Sequence, residues 1–276
     1  MKIRAIILSA LILCGISAVI MYSRAAQPQQ KSSVITQAIN DKNTPMVIKN
    51  LILKMKEQME VNDDQFPELI KEVENYTNSC TDSASVAVLH SMLAEMYQNY
   101  YQRNQWTINQ RTQLSGYIPE DIRVWTSNLF TNKIKEEIDL SLRPTALLQN
   151  TPVSKFKDIL EIGKDSQTLR PTLYEFLAFR ALDIQPTVQI YKDLIAFQNK
   201  EPNMKSVLLT ELDYLRFLYG DKRDKESFVA YMNALDELYR NLASQNYAAE
   251  ILIAKLDLVS GSMFRYVSTQ WDSIKA

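Results

Sequence analysis

Apolar side chains recur at steps of three and four along residues 83–112, and this spacing constrains the fold more than any other feature of the chain. The repeat comprises Val86, Leu89, Leu93, Met96, Tyr97, Tyr100 and Tyr101. Because an α-helix has about 3.6 residues per turn, side chains at this spacing form one wide apolar face. The pattern predicts a long amphipathic helix whose apolar face is buried against other helices.

The same spacing returns along the rest of the chain, between proline-containing and polar turns. Thr44-Pro45 and Thr151-Pro152 predict helix starts, because Thr is a good N-cap and Pro is tolerated at the first helical position. Asp121 predicts another N-cap. The clearest later repeat, in residues 225–242, comprises Phe228, Tyr231, Met232, Leu235, Leu238, Tyr239 and Leu242. The pattern of residues 260–276 predicts no clear class of secondary structure.

Glycine is scarce, with five residues in a chain of 276. Folds made of β-strands need many more glycines for their turns, so the composition argues against them. Short connections between helices favour antiparallel neighbours, and the later helix pairs recur at a spacing close to that of tetratricopeptide repeats. We predict an all-α domain over residues 44–276, an irregular α-solenoid or tetratricopeptide-like array of antiparallel helices.

The N-terminus has the layout of a secretory leader. Lys2 and Arg4 precede an apolar run over residues 5–22, and small residues follow it. We predict a signal peptide over residues 1–25, cleaved after Ala25, and a polar linker over residues 26–43. An uncleaved membrane anchor is an alternative, since the run is long enough to span a bilayer. A lipoprotein, lipid-modified at Cys14, is a second alternative, although the bulky Leu13 that precedes the cysteine argues against it. Each interpretation predicts export to the periplasm or cell envelope, with the leader as the sole membrane contact.

Charge and rare residues narrow the function classes. The formal net charge is −1 with both signs intermixed, so no nucleic-acid partner is predicted. After removal of the leader, Cys80 is the single cysteine, which excludes an internal disulfide framework. His90 is the only histidine, and no zinc-ligand spacing or nucleophile motif accompanies it. We therefore predict no catalytic, cofactor-binding or metal-binding residue, and a protein that is not an enzyme.

Two groups of titratable residues have both a catalytic and a structural interpretation. His90 is interpreted as a partly buried, hydrogen-bonded residue rather than as a base or ligand. Glu136-Glu137 and Asp63-Asp64 are interpreted as solvated charges. Adjacent helical side chains point about 100° apart, so such pairs do not converge for acid–base chemistry.

The aromatic residues are interpreted mainly as anchors of helix packing. The candidates are Tyr97, Tyr100, Tyr101, Trp106 and Trp125. A ligand-stacking platform is the alternative. Aromatic side chains at helical spacing usually fill the seams between helices.

Three stretches together resemble a known family. They are LHSMLAEMYQNYYQRNQWTINQRT (residues 89–112), DIRVWTSNLFTNKIKEEIDLSLRPTALLQNTPVSKFKDIL (residues 121–160) and LRPTLYEFLAFRALD (residues 169–183). In this order they resemble the helical N-terminal region of the alpha-2-macroglobulin family proteins of Bacteroidetes-type bacteria. The resemblance covers residues 83–183 and rests on Trp106, Trp125, the Leu-Leu-Gln-x-Thr-Pro turn and the Arg-Pro-Thr-Leu-Tyr-x-Phe-Leu run.

The resemblance implies a role in protease inhibition in the cell envelope. Members of that family are exported protease traps, much longer than this chain and built mainly of β-sandwich domains. Their bait segment and Cys-Gln thioester have no counterpart here, because Ser83, not Gln, stands three residues after Cys80. The leading hypothesis is an exported, non-enzymatic spacer or docking platform whose protein partners are proteases or downstream macroglobulin domains.

Two other hypotheses remain open. The first is a stand-alone tetratricopeptide-like adaptor that binds a peptide or partner protein in a groove lined by Asn, Arg, Lys and Tyr. The second is an all-helical hydrolase, which requires a pocket with two converging carboxylates.

Overall fold

The computed structural model describes residues 44–61, 65–112, 117–160, 165–200 and 203–261. The predicted signal peptide with Cys14, the linker, Asp63-Asp64 and residues 262–276 lie outside the described residues.

The described residues form helices joined by short connections. Their bounds are α1 Thr44–Val61, α2 Phe66–Ser79, α3 Ser83–Ile108, α4 Ser127–Ser141, α5 Thr145–Asn150, α6 Ser166–Leu169, α7 Leu173–Ile184, α8 Val188–Gln198, α9 Met204–Tyr219, α10 Lys225–Leu242 and α11 Ala249–Ser260. Two 3₁₀ segments span Ile122–Val124 and Val153–Phe156. No strand occurs in these ranges, and the all-α prediction is confirmed for them. None of the helices described here is long and apolar enough to cross a membrane.

Side-chain caps explain where several helices begin. The Asp82 carboxylate accepts from the backbone N–H of Ser85 at 3.2 Å and from its hydroxyl at 2.5 Å, which satisfies a free donor at the start of α3. Equivalent caps at α8, α9 and α10 come from Thr187, Asn203 and Asp224.

Two predicted helix starts are wrong. Asp121 caps the 3₁₀ segment Ile122–Val124 rather than α4, because Trp125 is extended and the helix begins only at Ser127. Thr151-Pro152 does not open an α-helix either. The N–H of Val153 donates to the Pro171 carbonyl at 2.9 Å, and the N–H of Leu173 donates to the Thr151 carbonyl at 2.8 Å. These backbone groups pair with a distant segment, so only a 3₁₀ turn follows.

The chain divides into two compact units. The first comprises the described residues up to Gln167 together with Pro171–Leu177. The second comprises Thr168–Arg170 together with the described residues from Ala178 onward.

In the first unit α3 is the central helix and packs most extensively against α4, and also against α2 and α1. The prediction of a single apolar face is wrong for its first half, which is buried on nearly all sides. Small residues such as Ala84, Ala87, Ser91 and Ala94 are buried there, whereas Val86 is only half-buried. Small side chains let neighbouring helices approach from more than one direction. The first half of α3 therefore needs no polar face toward solvent.

The second unit is built from helices that pack with their sequence neighbours: α8 with α9, α9 with α10 and α10 with α11. Its core contains Leu208, Leu212, Phe228, Tyr231, Leu235, Ile251, Ala254 and Leu258. Met232, Leu238, Tyr239 and Leu242 pack against that core, so the apolar repeat predicted in residues 225–242 is confirmed.

Candidate functional site

The predicted aromatic anchors converge on a residue that the sequence analysis did not single out for this role. Phe130 of α4 is fully buried, and its ring centroid lies 5.3–6.4 Å from the ring centroids of Tyr97, Tyr100, Tyr101 and Trp125. Tyr97 and Trp125 also stack on each other at 5.7 Å. Such contacts contribute beyond the area they bury, so this aromatic cluster is a strong attachment between α3 and α4.

Trp106 departs from the packing interpretation. Its side chain is 84% exposed, although it lies on the same helix as Tyr97 and Tyr100. Its neighbours Gln105 and Thr107 are exposed as well, whereas Ile108 is buried in the core.

A polar network lies beside the aromatic cluster. One carboxylate oxygen of Glu137 is 2.6 Å from Nδ1 of His90, and the other is 2.8 Å from Nζ of Lys133. The Tyr97 hydroxyl donates to Glu74 Oε1 at 2.7 Å, and the Lys133 Nζ is 3.8 Å from that oxygen. We call these five residues the His90 network. It connects α2, α3 and α4 through charged and hydrogen-bonded groups.

His90 is partly buried and hydrogen-bonded, as the sequence analysis predicted. The prediction of a solvated Glu136-Glu137 pair is right for Glu136, which is mostly exposed, and wrong for Glu137, whose side chain is 2% exposed. The two side chains point about 100° apart on α4, so one can face α3 while the other faces water.

Burial and charge shift the pKa values of two members of the network. Burial, assisted by the hydrogen bond to Glu74, raises the pKa of the Tyr97 phenol above its ordinary value. Burial acts to lower the pKa of Lys133, but the hydrogen bond and charge of Glu137 outweigh it and the pKa is raised. Tyr97 therefore stays neutral and Lys133 stays charged at neutral pH.

The contacts of the His90 network mainly hold α2, α3 and α4 together. A carboxylate on Nδ1 of a histidine also occurs in catalytic triads, where a nucleophile on the other ring nitrogen completes the site. Here both carboxylate oxygens of Glu137 bind groups of the scaffold. In the part of the chain that the structure describes, no group of three or more His, Cys, Asp or Glu side chains is placed to hold a metal ion. Cys80 is a half-buried free thiol at the end of α2.

The last turn of α3 and the connection to α4 carry exposed apolar side chains. Trp106 on α3 and Tyr117, Ile118 and Val124 in the connection are all exposed, and we call these four side chains the Trp106 surface. The connection is held by the indole N–H of Trp125, which donates to the Pro119 carbonyl at 2.6 Å, and by Arg111, which donates to the Trp125 carbonyl at 2.8 Å. Exposed Trp and Tyr side chains are typical of protein-binding surfaces.

The sequence analysis missed Phe130, Lys133 and Glu74 as partners in these clusters. The four-residue spacing of Lys133 and Glu137 was a usable signal, because oppositely charged residues at that spacing meet on a helix. The contacts that these α4 side chains make with α2 and α3 join residues far apart in the chain, so no local sequence pattern indicates them.

Fold and site together define an all-α helical array with a partly buried polar network in its first unit. No protein-family model matches the chain, and comparisons with curated proteins and with solved structures give no significant match.

Proposed function

We propose that this chain is an exported, non-enzymatic helical domain that serves as a spacer or docking platform in an alpha-2-macroglobulin-like protease inhibitor of the bacterial cell envelope. Its partners are macroglobulin domains of the same system or the proteases they inhibit. The proposal rests on the resemblance of residues 83–183 to the helical N-terminal region of that family.

The single observation that carries the proposal is the contact, within the first unit, between the first two family-like stretches and residues 171–177 of the third. The first and second stretches meet where α3 packs on α4, through the aromatic cluster and the His90–Glu137 contact. The second and third meet where the Thr-Pro turn at 151–152 pairs with residues 171–173. Trp125 and the Thr-Pro turn, which carry part of the resemblance, therefore also help to hold the unit together, and this supports a shared fold.

The Trp106 surface supports the docking role. Trp and Tyr are enriched among the residues that contribute most to binding between proteins, because they bury a large area with few rotatable bonds. Trp106 also belongs to the first family-like stretch, yet contributes little to the core.

The first experiment reads the coding DNA downstream of codon 276. The proposal expects an open frame that encodes β-rich macroglobulin-like domains, in the same product or in the next gene. A stop followed by unrelated genes contradicts it. The mass of the mature protein from the cell envelope also tests whether the leader is cleaved, since cleavage after Ala25 leaves Ala26 as the first residue.

The second experiment measures binding between the full chain and the downstream domains by titration calorimetry. Trp106→Ala and Ile118→Ser are expected to weaken binding about tenfold or more, as for central interface residues. Leu147→Ser, an exposed apolar residue of α5, is the matched control and leaves affinity unchanged. Equal affinities for all three variants contradict docking at the Trp106 surface.

The consecutive packing of α8, α9, α10 and α11 favours a second candidate, a stand-alone tetratricopeptide-like adaptor. This role predicts that the full chain isolated from envelope extract carries a stoichiometric protein partner other than a macroglobulin-like protein. Recovery of a macroglobulin-like protein favours the first proposal instead.

A further inference from the structure

We draw no further inference here: the strongest candidate, the exposed apolar side of α11 formed by Leu252, Ile253, Leu256 and Val259, carries none because nothing among the described residues shows what covers it.

Discussion

Nδ1 of His90 on α3 lies 2.6 Å from Oε2 of Glu137 on α4, and the two residues are 47 positions apart in the chain. The other Glu137 oxygen binds Lys133 on its own helix. One buried carboxylate therefore connects the two helices that pack most extensively in the first unit.

Glu137→Gln is expected to lower the free energy of unfolding by about 2 kcal/mol. The substitution keeps the side-chain volume but removes the carboxylate charge that the Lys133 ammonium contacts, and a partly buried donor left without its charged acceptor is costly. Urea denaturation of both proteins at pH 7 measures the loss. Glu136→Gln, on the exposed side of α4, is the control and should change stability by less than about 0.5 kcal/mol. Equal losses in the two variants contradict the role assigned to Glu137.

Phe130→Ala is expected to lower the free energy of unfolding by about 3–5 kcal/mol, because it leaves a cavity among four aromatic rings. Trp106→Ala should change it by less than about 0.5 kcal/mol, since that side chain is exposed. Thermal and urea unfolding measure both. A large loss in the Trp106 variant would show that the residue packs in the core after all.

Asp82→Ala is expected to cost about 1 kcal/mol at neutral pH through loss of the α3 cap. Burial acts to raise the pKa of Asp82, but the hydrogen bonds from Ser85 and the nearby Lys155 outweigh it and the pKa is lowered. A lowered pKa in the folded state stabilises the protein above the unfolded pKa of about 3.9, and this contribution is lost as the pH falls through the folded pKa. The stability difference between the parent and Asp82→Ala should therefore shrink in acid.

Asp82→Asn is the matched variant for the cap. Asn retains a side-chain oxygen that accepts from Ser85, so it should lose less stability than Ala. Both losses should shrink in acid by the same amount, because neither variant carries the titrating carboxyl. Identical losses for Asn and Ala, constant from neutral to acidic pH, contradict this account of Asp82.

Glu211→Gln on α9 is expected to raise the melting temperature at pH 7. Burial raises the pKa of Glu211, so its stabilising contribution is complete below the unfolded pKa of about 4.3 and is lost as the pH rises through the folded pKa. Gln has no charge to bury, so the gain should be largest near neutral pH and should vanish toward pH 4. Glu237→Gln, on the exposed side of α10, is the control, and calorimetry across this pH range measures both variants.

Much of the helical structure was predictable because its signals are local. The apolar repeat of α10 depends on residues within one or two helical turns of each other. The prediction failed at Thr151 because hydrogen bonds to the distant residues 171–173 replaced the local helical ones. At Asp121 the local hydrogen bonds close a short 3₁₀ segment, and the extended Trp125 delays the start of α4.

The candidate site was less predictable. Tyr97, Tyr100, Tyr101 and Trp125 were identified from spacing, but the same spacing included Trp106, which the structure exposes. Tertiary packing decides where burial stops along α3, and the periodicity of the sequence carries no information about that position.

The sequence by itself determined where helices form, since capping residues, prolines and apolar steps of three and four act over a few residues. Only the tertiary structure decided which sides of those helices are buried, that Glu137 faces His90 and that Trp106 faces water. The physical reason is that burial and ion pairing depend on which distant segments meet, and one helix face can satisfy its local pattern equally well against protein or against solvent.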